Sequence, residues 1–393
     1  MIEVAKRIQK VNSSPTLKLL NIKNKLIQNG EKVLDFGAGE PDFDTPEIIK
    51  QAGKNAIDSN FTKYTPASGI IELKKAIASN LKQELNYKPD IDQIIVTPGS
   101  KFGIYSLFQA TINKSEEVII PLPYWVSYPE MVKLVEGNVV FANHLNKDNL
   151  FEITAKSYID VYTKKTKAII INSPSNPTGM LIKESELKEI IDFFLKKNVL
   201  IVIDDCYRNL IYDNKTKFPE IFNINKEARE NIALVSSLSK TYSMTGWRIG
   251  YTIASKELTG VMSKIQQHST SNPCSISQKA ALEGLINPKP YINEMLLEYK
   301  KRRDYITKFF TDLGNINYKL PDGAFYFFAD FSYYIKRLGY KDDYDFAMDL
   351  LEKLKVIFVP GSAFGAKNYL RISFATSFKD IKEGLNKIKD FIK

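Results

Sequence analysis

Short apolar runs alternate with amphipathic stretches through the middle of the chain. Ile94-Ile95-Val96, Val118-Ile119-Ile120, Ala168-Ile169-Ile170-Ile171, Leu200-Ile201-Val202-Ile203 and Ile232-Ala233-Leu234-Val235 are apolar at every position. Strands of that kind belong beneath helices on both faces. Between them, Leu187, Ile190, Ile191 and Phe194 recur at helical spacing within 183–197. The alternation predicts an α/β chain of parallel strands joined by helices. Thr45-Pro46 reads as the cap and first turn of a helix with Ile48, Ile49, Ala52 and Ala56 on one face. From about residue 290 the order becomes helix, short strands, helix, strand and helix, ending on Ile381, Leu385, Ile388 and Phe391. Val33-Leu34-Asp35-Phe36 is a strand outside the main run. The expected division is an arm and part of a small domain over 1–45, a large domain over 46–290 and a small α+β domain over 291–393.

Composition narrows the function. The chain has 393 residues, which suits one large and one smaller domain. Its 55 Lys and Arg against 45 Asp and Glu leave a formal charge of +10. The densest clusters, Lys164-Lys165-Thr166-Lys167 and Lys300-Lys301-Arg302-Arg303, form no single stripe. Solvated faces are therefore expected, with no nucleic-acid partner. Cys206 and Cys274 are the only cysteines, and His144 and His268 the only histidines. No disulfide framework, zinc pattern or histidine-based hydrolase fits, and no metal is expected. No apolar run reaches about 18 residues, and the first 15 lack a signal core. A cytoplasmic protein with no membrane partner is expected.

In an open parallel sheet, ligands bind at the carboxyl ends of the strands. After Val96 comes Thr97-Pro98-Gly99-Ser100-Lys101, a turn into a helix N-terminus that suits a phosphate, or a plain turn capped by Ser100. After Ile120 comes Pro121-Leu122-Pro123-Tyr124-Trp125, where Trp125 is either a stacking platform or core. After Ile171 two prolines and Gly179 enclose Asn176, which can donate to an anionic oxygen or simply shape the turn. After Ile203 comes Asp204-Asp205-Cys206-Tyr207. A carboxylate there can pair with a pyridinium N–H, or lie in a surface loop with Asp205 as a cap. Cys206 reads as packing. After Val235 come Ser237, Ser239, Lys240 and Gly246-Trp247-Arg248. A partly desolvated lysine forms Schiff bases, and the serines and arginine can hold a phosphate.

These residues resemble the class I aminotransferases, pyridoxal-phosphate enzymes of fold type I. The resemblance runs from Gly37-Ala38-Gly39-Glu40-Pro41-Asp42-Phe43 to Tyr369-Leu370-Arg371-Ile372-Ser373, nearly the whole chain. Its most specific segments are Ser173-Pro174-Ser175-Asn176-Pro177-Thr178-Gly179 and Ser237-Leu238-Ser239-Lys240 with Gly246-Trp247-Arg248. It implies a large domain with a mainly parallel seven-stranded sheet between helices, and a smaller α+β domain. It implies Lys240 as the Schiff-base lysine and proton shuttle, and Asp204 on the pyridine nitrogen. Tyr207 and Asn176 would hold the ring oxygen, and Trp125 would stack on the ring. Ser100, Lys101, Ser237, Ser239 and Arg248 would form the phosphate cup. Tyr64 would reach the phosphate of a neighbouring subunit, implying a homodimer with shared sites. Arg371 would bind the substrate α-carboxylate beside Gly39, whereas strand alternation alone puts Arg371 on the solvent side of an edge strand.

The bacterial aspartate aminotransferases are the most similar subgroup. They imply ping-pong transfer between aspartate or glutamate and a 2-oxo acid, 2-oxoglutarate or oxaloacetate. Lys101 matches a contact to the distal carboxylate, or is a surface or cup lysine. Asn12 stands where some relatives carry a basic residue for prephenate. The alternatives are an aminotransferase for aromatic, neutral or prephenate-type substrates, and a β-lyase.

Overall fold

Alternate residues of each central strand enter opposite cores, which is why the runs are apolar throughout. Ile94, Val96, Ile119, Ile169, Ile171, Ile201, Ile203, Ile232 and Leu234 join one cluster. Ile95, Val118, Ile120, Ala168, Ile170, Val202, Ala233 and Val235 join the other. The structure, a computed structural model, describes residues 2–12, 15–213, 216–287 and 290–393.

The seven-stranded sheet runs in the order Ile94–Thr97, Gly250–Ile253, Ile232–Ser237, Leu200–Asp204, Thr166–Asn172, Glu117–Leu122 and Asn138–Asn143. Gly250–Ile253 is antiparallel to both neighbours, and the other strands share one direction. The mainly parallel sheet expected from the resemblance is therefore present. The apolar-run reading does not find two of its strands. Asn138–Asn143 is an edge strand with only Ala142 buried, and Gly250–Ile253 is short and contains Gly and Thr.

Helix Glu47–Asp58 departs from expectation. Pro46 precedes it, with no side-chain cap bond. The hydroxyl of Thr45 instead donates to the carbonyl of Ser243 at 2.6 Å and accepts from Trp247 Nε1 at 3.1 Å. The buried face is Ile49, Gly53 and Ala56, while Ile48 is 45% exposed. Gly53 has a local reason: a Cβ there would come within 2.8 Å of the Trp247 ring.

A four-stranded antiparallel sheet follows the long helix Pro290–Leu313, in the order Val359–Pro360, Tyr369–Ser373, Tyr326–Asp330 and Asn317–Tyr318. Its own core gathers Phe325, Tyr326, Phe327, Leu370 and Ile372 with Ile381, Leu385 and Ile388 of the final helix. Leu34–Asp35 pairs in parallel with Val356–Ile357, tying the early strand to the late ones. Phe36 lies on Gly384, where a Cβ would meet its ring at 2.5 Å. Among the described residues, no helix is long and apolar enough to cross a membrane.

Candidate active site

The carboxyl ends of these strands surround a pocket of about 410 Å³, lined by Ser100, Lys101, Trp125, Asn176, Asp204, Tyr207, Ser237, Ser239, Lys240, Arg248, Gly39 and Arg371. Sequence reading thus assembles the constellation from separate strand tips. Tyr64 is apart from it: its side chain is 89% exposed and does not line this pocket.

Asp204 ends its strand at 4% exposure. Its Oδ2 accepts from the Tyr128 hydroxyl at 2.6 Å, and its Oδ1 from the Cys206 amide at 3.2 Å. Burial raises its pKa. The surface-loop reading fails, because this loop packs against the sheet end. Asp205 is no cap either: it is buried and ion-paired with Arg208. Tyr128 was not foreseen. It stands three residues after Trp125, in the first turn of helix Ser127–Leu134, and that nearness to Trp125 is the available signal.

Lys240 sits in the short helix Leu238–Thr241. The residue is half-buried, and its Nζ donates to the Gly39 carbonyl at 2.5 Å. Burial lowers its pKa to about 8, against an ordinary 10.5. A Cβ on Gly39 would stand an ordinary 3.7 Å from the Tyr326 hydroxyl, so the chain's own packing does not demand glycine there. Gly37 is the constrained position: a Cβ would meet Ile357 at 2.9 Å, and its carbonyl accepts from Arg371 Nη2 at 2.7 Å.

Arg371 corrects the alternation reading. Its strand lies between two others and is buried at all its positions. The polar side of that strand therefore faces the pocket rather than water. The guanidinium lies 4.5 Å from the Tyr326 ring centroid and 4.9 Å from that of Phe364. Nη1 donates to Asn176 Oδ1 at 3.1 Å, while buried Nε has no hydrogen-bond partner among the described residues. Burial lowers its pKa. Because Oδ1 of Asn176 is held by Arg371, its NH₂ is the end left for a ligand oxygen. Tyr207 is buried, with its hydroxyl 2.9 Å from that of Tyr326.

The anion cup rests on close backbone approach. Gly99, at φ 82°, precedes helix Ser100–Thr111, so Ser100 is the first helical residue and not its cap. A Cβ on Gly99 would stand 2.5 Å from Arg248 Nη2, and one on Gly250 2.5 Å from the Ser100 nitrogen. Ser237 accepts from the Ser239 amide at 3.1 Å and donates to the Ser239 hydroxyl at 2.8 Å. Arg248 Nη1 donates to the Thr245 carbonyl at 2.8 Å. Cys206 Sγ lies 3.2 Å from Ser100 Oγ, and burial raises the thiol pKa, as a packing role requires. Trp125 is half-buried rather than core, edge-on to Tyr128 at 5.3 Å. Lys101 Nζ lies 4.9 Å from the Trp125 centroid, its pKa lowered by burial and by Arg248. The Asn12 amide donates to Glu130 at 2.7 Å, beside a second cavity that also touches Lys101 and Arg248.

The donor set fits a flat, phosphorylated aromatic aldehyde. It offers a lysine poised near neutrality, and a buried carboxylate that accepts from a hydroxyl and an amide and has no cationic partner within ion-pair distance among the described residues. It also offers a glycine-walled cup bearing an arginine, and an orphaned guanidinium N–H. An anion suits the cup and a protonated ring nitrogen suits Asp204.

Comparison with known proteins agrees with this geometry. The family model for aminotransferase class I and II matches residues 31–388. A probable aspartate/prephenate aminotransferase of Aquifex aeolicus is 40% identical over 390 residues, 98% of this chain and 98% of that one. The aspartate aminotransferase of Bacillus subtilis is 40% identical over 393 residues, covering 100% and 99%. The solved structure of Thermus thermophilus aspartate aminotransferase with maleate superposes with a TM-score of 0.93 at 33% identity, covering 99% of this chain and 100% of that one. The chain belongs to the class I and II aminotransferases, and it is a pyridoxal-phosphate-dependent enzyme of transamination.

Proposed function

We propose that this aminotransferase moves the amino group between aspartate or glutamate and a 2-oxo acid, 2-oxoglutarate or oxaloacetate, with Lys240 as its catalytic residue. One observation carries the reading: the Lys240 amine, the Asp204 carboxylate and the Arg371 guanidinium share one pocket of about 410 Å³. Relatives named for aspartate, alike over nearly the whole chain, support the substrate class.

When bound, pyridoxal phosphate supplies a carbonyl for amines and a ring that takes up an electron pair. The chain's residues do the rest. Ser100, Ser237, Ser239 and Arg248 hold the phosphate, with Lys101 adding positive charge at the cup. Trp125 would stack on the ring. Asp204, to which Tyr128 donates, would keep the ring nitrogen protonated. Tyr207 and Asn176 would donate to the ring oxygen. Arg371 binds the α-carboxylate through two parallel N–H groups and turns the α-hydrogen toward Lys240. Gly39 leaves room for that carboxylate. Lys240 would hold the cofactor and, as a free amine, would take the substrate's α-proton onto its Nζ. Lys101 meets the distal carboxylate.

We assign residues 46–290 to the cofactor domain, with 1–45 and 291–393 to the smaller one. Pairing of Leu34–Asp35 with Val356–Ile357 supports that grouping. A cytoplasmic homodimer, with Tyr64 reaching the partner's phosphate, completes the reading. The exposure of Tyr64, which does not line its own pocket, supports this role.

The test is a paired assay. Wild-type protein with aspartate and 2-oxoglutarate should form oxaloacetate and glutamate, and Lys240→Ala should not. Turnover by Lys240→Ala at wild-type rate would remove the catalytic assignment. Turnover of tyrosine or prephenate in preference to aspartate would remove the substrate assignment.

A further inference from the structure

A buried charge network outside the pocket joins the residues that follow its carboxylate and its amine. Asp205, next after Asp204, is 1% exposed, and its carboxylate pairs with Arg208, itself 7% exposed. Arg208 also reaches Glu84, in the last turn of helix Ile71–Leu85, with Nε at 3.1 Å and Nη2 at 2.9 Å from Oε2. Its Nη2 donates to the Tyr251 hydroxyl at 3.3 Å. The other oxygen of Glu84 accepts from Asn209 Nδ2 at 3.0 Å, and Asn209 Oδ1 accepts from the Thr241 hydroxyl at 3.3 Å. Thr241 follows Lys240. One helix end thus reaches, through side chains alone, Asp205 beside Asp204 by way of Arg208 and Thr241 beside Lys240 by way of Asn209.

Stability does not account for such a cluster. Taking an ion out of water costs several kcal/mol, and apolar residues of similar volume usually hold a fold as well. What a guanidinium between two carboxylates does provide is direction, because its donors lie in a rigid plane. Catalytic groups must be held within a fraction of an ångström, and supporting contacts of this kind do that.

We propose that Glu84, Arg208 and Asp205 are positioning residues that fix Asp204 and Lys240 relative to each other for proton transfer at the substrate α-carbon. This rests on the roles given above to Asp204 and Lys240.

The test uses holoenzyme of wild type, Glu84→Gln, Arg208→Lys and Arg208→Ala. Four quantities are read: the pH midpoint of the bound cofactor's visible absorbance, kcat, KM for aspartate, and Tm. Glu84→Gln keeps the shape and removes one negative charge, so the site becomes more positive and protonation there harder. Its midpoint should fall by about half a pH unit. Its kcat should fall about tenfold, with KM changed less than about twofold. Arg208→Ala should lose more, and Arg208→Lys should recover part of that loss. A Glu84→Gln enzyme with a lowered Tm but wild-type midpoint and kcat would overturn the proposal. That result decides the matter even where Arg208→Ala fails to fold. Lys240→Ala protein that transaminates at the wild-type rate would instead overturn the underlying reading, and this one with it.

Discussion

An amine with a pKa of about 8 is mostly protonated at pH 7 and mostly free at pH 9. Only the free amine attacks a carbonyl, so apoprotein should capture pyridoxal phosphate faster as pH rises through 8. Stopped-flow absorbance reads this directly, and a rise centred near 10.5 would mean that Lys240 is not desolvated. Arg371 holds Asn176 and the Gly37 carbonyl, and its Nε–H has no partner among the described residues. A lysine cannot reproduce that fork, so Arg371→Lys should cost about 2–4 kcal/mol, roughly thirty- to a thousandfold in kcat/KM. Outside the pocket lining, buried His144 contacts Ser157 Oγ at 2.8 Å, and burial lowers its pKa from 6.5 to about 3. The unfolded chain therefore binds a proton below pH 6.5 that the folded chain refuses. Stability is full above that pH and falls as pH drops toward 3, by on the order of 4 kcal/mol from this residue. His144→Phe should flatten acid unfolding curves in that window, and an unchanged curve would contradict the assignment.

Elements were legible where burial is two-sided. The five apolar runs are strands because both cores claim their residues alternately. Asn138–Asn143 escaped because an edge strand with one buried residue carries no such mark. Arg371 was misplaced by periodicity for a related reason: alternation reports polarity, and polarity toward a pocket looks the same as polarity toward water. Ile48 shows the converse, an apolar residue in a helical pattern that points outward in a single chain. Tyr128 and Tyr326 were missed because their partners arrive from distant segments. Gly99 combines a positive φ with the guanidinium of Arg248 at contact, so Gly99→Ala should displace that arginine. Cofactor affinity should fall about tenfold or more, readable by equilibrium dialysis, and unchanged affinity would dissociate Arg248 from the phosphate.

At the scale of the whole molecule, a single chain leaves Tyr64 89% exposed, along with Ile48, Ile57 and Ile71. The dimer with shared sites proposed above predicts complementation. Tyr64→Ala and Lys240→Ala should each depress activity in pure form. Mixed dimers should regain activity, because one of their two sites then has both residues intact. Mixtures no more active than the mean of the two parents would argue for sites complete within one subunit.

Catalysis depends on which amine meets the cofactor. Holoenzyme treated with borohydride, digested and mapped by mass spectrometry answers that in one measurement. The reduced pyridoxyl group should sit on the peptide containing Lys240 and on no other. A label on a different lysine, or protein that retains no cofactor mass after reduction, would contradict the account.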